Sequence, residues 1–160
     1  MKIISGGQSG VDRAALDVAL EKSIAYGGWC PRGGWAEDFT VPPGLLARYP
    51  LLRETPLSDP AQRTQWNIRD SDAVLILTAA GGIAASQGTS LARELVQREC
   101  KPLLAIGLDD ETALQRVRAW LAQLLIARGD QVLALGIGGP RESEASGIYQ
   151  RAKDFLSALL

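Results

Sequence analysis

The stretch Ala73-Val74-Leu75-Ile76-Leu77-Thr78 decides the fold. An unbroken apolar run has no solvated side, so a strand here must be covered on both faces, as the strands of parallel sheets are. Working outward, shorter versions of the pattern recur at Lys2 to Ile4, Ile24 to Trp29, Leu103 to Leu108 and Val132 to Ile137. Helical spacing fills the gaps between them. Val11 to Lys22 is rich in Ala and Leu, and Ser9 with Asp12 three residues later predicts a capping-box-like start. Asp59-Pro60 opens a helix to about Ser71, because proline suits the first helical position. Thr89 to Glu99 carries one apolar stripe (Leu91, Ala92, Leu95, Val96), and Asp110 to Arg128 carries another (Leu114, Val117, Leu121, Leu124, Leu125). Ile148, Ala152, Phe155, Leu156 and Leu159 line a closing helix. This alternation predicts an α/β fold: a single Rossmann-like, doubly wound parallel sheet of about five strands with helices on both faces, residues 1–160 forming one domain.

One segment breaks the rhythm. Residues 30–58 show no period and scatter Pro31, Pro42, Pro43, Pro50 and Pro56, so they read as an irregular insertion. A stretch this long is a lid, a partner-binding loop or a wrap over its own core, and Trp29, Trp35 and Tyr49 argue against full disorder.

Composition excludes several function classes. Lys plus Arg is 17 against 18 Asp plus Glu, a net charge of −1, which lacks the basic footprint of a domain that grips nucleic acid or an anionic membrane. The chain has no histidine, which removes Ser-His and Cys-His catalysis and histidine metal ligands. Cys30 and Cys100 cannot make a zinc site by themselves; they allow one disulfide but fit a reduced, cytoplasmic protein better. Met1 to Gly6 is too short in apolar run for a signal peptide, and the uncharged stretch Ala73 to Ala92 is broken by Gly81, Gly82, Gly88 and polar residues too early to span a bilayer.

The chemistry is expected at three glycine-bearing loops that leave the carboxyl ends of strands, where open parallel sheets bind ligands. They are Gly6-Gly7-Gln8-Ser9-Gly10, Gly81-Gly82 to Gly88-Thr89-Ser90, and Gly136 to Ser143, which includes Gly139, Arg141 and Glu142. Glycines let backbone N–H groups approach a ligand, and a following helix N-terminus favours an anion. Arg13 and Arg141 are candidate cationic clamps for a phosphate-bearing or oxyanion ligand. Neither the dinucleotide G-x-G-x-x-G nor the P-loop fingerprint is present. The same glycines also suit bare turns, and Ser9 and Asp12 suit a helix cap; the residues leave these alternatives open.

Taken in order, the motifs resemble a known family. Gly6-Gly7-Gln8-Ser9-Gly10-Val11-Asp12-Arg13 is similar to the opening of the molybdenum-carrier proteins. Gly28-Trp29-Cys30-Pro31, Glu37-Asp38, Gln62-Arg63-Thr64, Asn67 to Asp72, Gly139-Pro140-Arg141-Glu142-Ser143 and Gly147-Ile148-Tyr149 follow in that family's order. The resemblance implies a Rossmann-like relative of the lysine-decarboxylase-like superfamily, a homo-oligomer, and a carrier for molybdenum cofactor, molybdate or a related anion, with molybdoenzymes as partners. It also implies an anion pocket from the first loop, the Gly88-Thr89 turn and the Gly139–Ser143 loop. Related enzymes release a base from a nucleoside monophosphate with P-G-G-x-G-T-x-x-E. Here Ala92 stands where that glutamate would fall, and Glu94 comes two residues later, about 200° around a helix.

The leading expectation is therefore a binding protein with no assigned catalytic or metal-ligating residue. The alternative is a nucleotide-binding enzyme, such as an N-glycosidic hydrolase using Asp12, Glu94 or Glu142 as acid or base.

Overall fold

The computed structural model describes residues 1–80 and 82–160. Its elements run β1 (Lys2–Ile4), α1 (Val11–Glu21), β2 (Ala25–Cys30), α2 (Leu45–Arg48), β3 (Leu52–Glu54), α3 (Pro60–Arg69), β4 (Ala73–Thr78), α4 (Gln87–Arg98), β5 (Leu103–Gly107), α5 (Ala113–Arg128), β6 (Ala134–Gly138) and α6 (Ile148–Leu159). The strands form one sheet of six, ordered β3-β2-β1-β6-β4-β5, every pair parallel. The sequence reading of about five strands is corrected by β3, a three-residue edge strand pairing Leu52 with Gly28. Only Leu52 of the three is buried, so β3 carries no apolar run to betray it.

Residues 30–58 are accordingly not a structureless insertion. They contain the end of β2, helix α2 and strand β3. Leu45 and Tyr49 from this segment are fully buried in the main core, and Trp29 packs edge-on against Trp66 of α3 at 4.6 Å.

The strand period of two assigns each residue to a face. Ala73, Leu75 and Leu77 of β4, with Leu135 and Ile137 of β6 and Ile3 of β1, join the core under α1, α5 and α6. Val74 and Ile76 point the other way, against Ile68 of α3 and Val96 of α4. All six residues of β4 are buried, which is why its sequence is apolar throughout. On the α3–α4 side β6 presents Gly136 and Gly138, so the sheet has no side chains there.

Three helix starts differ from expectation. Ser9 does not cap α1: the N-cap is Gly10, with no side-chain cap bond, because the Ser9 hydroxyl is committed to Glu37. α4 begins at Gln87, capped by the Ser86 hydroxyl accepting from the Thr89 N–H at 3.3 Å, so Gly88 and Thr89 lie in its first turn. α5 begins at Ala113, since the Asp110 carboxylate accepts the Thr112 N–H at 2.8 Å and holds the chain in a turn before it. At α3 the reading holds: Pro60 is the first helical residue and Asp59 the cap. Both cysteines are free thiols. No helix among the described residues is long and apolar enough to cross a membrane.

Candidate functional site

Strand order places the site. From β1 the chain steps outward to β2 and β3, then crosses to β4 and steps outward again to β5; β6 returns to fill the slot between β1 and β4. The winding direction therefore reverses around β1, β6 and β4, and their carboxyl ends open a crevice of the kind that accepts ligands. The loops after these three adjacent strands are the three glycine-bearing loops, brought side by side. Gly81 of the second loop lies outside the described residues.

A cleft of about 240 Å³ opens there and extends beneath α3 and α4. Gly6 and Gln8 from the first loop, Gly88 and Thr89 from α4, and Gly139 and Arg141 from the third loop all line it. Its floor is Ile4, Val74, Ile76, Gly136 and Gly138. A Cβ on Gly136 would stand 2.7 Å from the Ser71 hydroxyl, so the bare strand is what leaves room under α3.

The α4 end of the cleft gathers hydrogen-bond donors. The N–H groups of Gln87 and Gly88 have no hydrogen-bond partner among the described residues, and they sit at the positive end of a 12-residue helix. Thr89 is 3% exposed, and its hydroxyl is a buried polar atom with no partner among the described residues. Arg141 is half-buried, lines the cleft, and its guanidinium makes no ion pair or hydrogen bond among the described residues. Gln8 is also buried. Its Oε1 accepts from the N–H groups of Ser9 (3.1 Å) and Glu37 (2.9 Å), which leaves its Nε2 donors unspent.

The remaining residues singled out from sequence are taken up by the scaffold. Arg13 is buried, donates from Nε to the Gly7 carbonyl at 3.0 Å, pairs with both Asp38 oxygens at 2.9 Å, and lies over the Phe39 ring at 4.7 Å. It locks the first loop to the 30–58 segment. Gly7 faces the core, where a Cβ would meet Leu16, Leu45 and Leu52. Ser9 and Ser143 both donate hydroxyl protons to Glu37, and the Ser143 N–H adds a third bond. Burial alone would raise the Glu37 pKa, but these bonds outweigh it and hold it below the usual value. Glu142 accepts the N–H groups of Gly147 and Tyr149 and so caps α6. Ser90 donates to the Ile83 carbonyl at 3.2 Å. Ser9, Gly10, Arg13 and Glu142 instead line a shallower depression beside Asp17 and Tyr149.

Three charged residues absent from the expected anion-pocket set line the cleft: Glu144, and Asp12 and Arg63, paired at 2.9 Å between Oδ2 and Nη1. Asp12 is 5% exposed, and burial raises its carboxyl above the usual range against the opposing pull of Arg63 and of the Gly139 and Gln8 N–H groups. Arg63 lies across Gly6, where a Cβ would fall 2.4 Å from its Nη1. The signal in the sequence was the spacing of Pro60, Arg63, Thr64, Asn67 and Ile68, one face of α3 with polar groups where a core stripe would be apolar. Of the three carboxylates considered for acid or base work, only Asp12 lines the cleft; Glu94 is exposed and Ala92 takes the cleft-facing place.

A model of the circularly permutated YpsA SLOG family matches residues 3–160. The crystal structure of a protein named "Putative molybdenum carrier protein" from Syntrophus aciditrophicus SB is similar at 38% identity and a TM-score of 0.83, covering 99% of this chain and 94% of that one. No curated protein matches the chain. The strand order agrees with the family's name: begun at β6, the chain would run β6-β1-β2-β3 in one direction and β4-β5 in the other, with a single reversal.

Proposed function

Because this chain belongs to the circularly permutated YpsA SLOG family, and because its cleft is lined by unspent donors, we propose that it is a carrier that binds an oxyanion-bearing ligand, molybdenum cofactor or molybdate, at the α4 end of the cleft. The observation that carries this reading is the Thr89 hydroxyl, buried without a partner among the described residues at a helix N-terminus that lines the cleft. A buried polar group left unpaired costs about 1–3 kcal/mol, so an oxyanion accepting from it supplies the missing partner. Gln87, Gly88, Gln8 and Arg141 line the same cleft, and their free N–H groups are donors, as an oxyanion requires.

The volume limits what enters. About 240 Å³ is below the roughly 300–1,000 Å³ of drug-sized ligand pockets. Molybdate or the phosphate end of a cofactor fits within; the body of a larger cofactor would stand at the mouth, beside the exposed Gln87 and the third loop. The name of the similar Syntrophus protein supports the molybdenum reading. Delivery to molybdoenzymes, assembly as a homo-oligomer and cytoplasmic residence follow from that reading and belong to the same proposal, as does a single domain over 1–160 with no resident metal.

Elemental analysis and mass spectrometry of the native protein, followed by calorimetric titration with molybdate and with molybdenum cofactor, test it. Bound molybdenum or a saturable titration that Arg141→Ala weakens is the expected result. Absence of binding by either ligand, or unchanged affinity in Arg141→Ala, refutes the placement. One observation favours a second reading: Asp12 is a buried carboxyl of raised pKa lining the cleft, a property of acid–base groups in nucleotide hydrolases. Release of free base or phosphate from a nucleotide panel, lost in Asp12→Asn, would select that reading.

A further inference from the structure

The Asp12–Arg63 pair is unusual in its position. Both residues line the cleft together with Arg141 and Thr89, whose hydroxyl has no partner among the described residues, yet they neutralise each other. The Asp12 side chain is 7% exposed and that of Arg63 15%, so the pair is nearly sealed from water. Asp12 is held in place: it sits in the first turn of α1 between Val11, whose N–H donates to the Pro140 carbonyl of the third loop at 3.3 Å, and Arg13, which is paired with Asp38. Arg63 has the longer, more flexible side chain, laid from α3 over Gly6, which has no side chain to hold it there, and it is the partner that can move.

We propose that Arg63 is the cleft's ligand-recruited cation and Asp12 its internal counter-ion: an oxyanion entering the cleft takes the Arg63 guanidinium, and Asp12 Oδ2, released from it, takes one proton from solvent. This rests on the reading of the cleft as an oxyanion site. No covalent bond forms or breaks; one ion pair is exchanged for another and one proton moves from water to the carboxylate.

Charge explains the direction. Asp12 faces Arg63 from α3, and the other charged residues lining the cleft among the described residues are Arg141 and Glu144 from the loop after β6; the cleft-lining residues of β1, β4, β6 and α4 include no titratable side chain. Two cations and two carboxylates balance before binding. A dianion leaves the cleft with two excess negative charges, and protonating Asp12 removes one of them. Asp12 is the group to yield, because Glu144 is exposed and its carboxylate accepts the Arg141 N–H at 3.0 Å. Burial already disfavours the charged form of Asp12, and losing Arg63 removes the main opposing influence while the ligand adds a like charge. In effect Asp12 occupies the ligand's cation in the empty cleft, so affinity falls as pH rises.

Calorimetric titration of the full-length protein with molybdate and with sulfate, two oxyanions fully ionised near neutrality, tests this in buffers of different ionisation enthalpy. The expected result is a binding heat that varies with buffer and reports uptake of close to one proton, with affinity falling by up to about tenfold per pH unit in the linked range. Asp12→Asn is expected to bind with no buffer dependence and a flat pH profile. Should that variant fail to fold, the buffer dependence and pH profile of the wild type decide alone. Binding without proton uptake overturns this proposal and leaves the oxyanion site standing. Uptake that persists in a folded Asp12→Asn variant overturns the assignment to Asp12. No binding of either oxyanion removes the site and this proposal with it.

Discussion

Thr89→Val separates a ligand-binding hydroxyl from a structural one, because the two predict opposite signs. Valine keeps the shape of threonine and replaces the hydroxyl by a methyl group. Thr89 is 3% exposed and its Oγ1 has no partner among the described residues. Replacing a buried, unpaired hydroxyl by a methyl relieves a desolvation cost of about 1–3 kcal/mol, and the two residues have similar helix propensities. The Ser86 hydroxyl accepts the Thr89 backbone N–H, a bond the substitution leaves intact. We therefore expect the ligand-free variant to gain about 1 kcal/mol, or about 2–4 °C in Tm for a domain of this size. Ligand affinity moves the other way. A hydrogen bond to a charged acceptor is worth about 1.5–3 kcal/mol, so binding of molybdate should weaken by about tenfold to a hundredfold. Thr89→Ser is the complement: it loses a buried methyl, costing about 1 kcal/mol, and keeps the affinity. Thermal and urea melts monitored by circular dichroism, with calorimetric titration, read both quantities. A Thr89→Val protein that is less stable and binds as before would refute the reasoning, because the hydroxyl would then be satisfied within the fold.

Three further outcomes follow from the packing. Gly10→Ala should cost about 3 kcal/mol or more in urea unfolding, since Gly10 has φ +77° and a Cβ there would lie 2.3 Å from the Pro140 carbonyl oxygen, forcing the first and third loops apart; an unchanged midpoint would refute this. Glu37→Gln should narrow its stability deficit as pH falls. The native carboxyl is held below its ordinary value, so its contribution is fully present above about pH 4.3 and is lost as pH drops through the lower folded value; parallel urea midpoints for the two proteins at every pH would contradict it. A thiol reagent near neutral pH should modify Cys100, which is exposed, and spare Cys30, which is buried and whose thiol burial and Glu54 push up to about 11; mass spectrometry of native and urea-denatured protein gives the count.

The segment 30–58 shows where sequence reading stops. β3 has three residues, of which Arg53 and Glu54 are exposed, so neither a period nor an apolar run marks it; it exists because β2 offers a free edge to pair with. Arg13 carries the same lesson. Read along the chain it is a candidate clamp for an anionic ligand; in the fold its guanidinium, placed in a first turn where the helix dipole disfavours it, serves Asp38 and the Gly7 carbonyl, 25 and 6 residues away. Glu142, in the third loop, is drawn to the N-terminus of α6 by the same dipole that attracts anions elsewhere.

The sequence by itself determined the α/β alternation, the fully buried strand β4 and the three loops at which chemistry could occur, because hydrophobic period and glycine placement are local properties of a chain. Only the tertiary structure decided which donors in those loops are free. Ser9, Ser143 and Arg13 look as available as Thr89, Gln8 and Arg141 when read along the chain. They differ because a hydrogen bond is a contact between distant residues: Glu37 and Asp38 arrive from the 30–58 segment to consume the first set, and no protein group among the described residues reaches Thr89 Oγ1 or the Arg141 guanidinium. The pairing of Asp12 with Arg63, 51 residues on, is of the same kind, created when α3 is laid across the first loop.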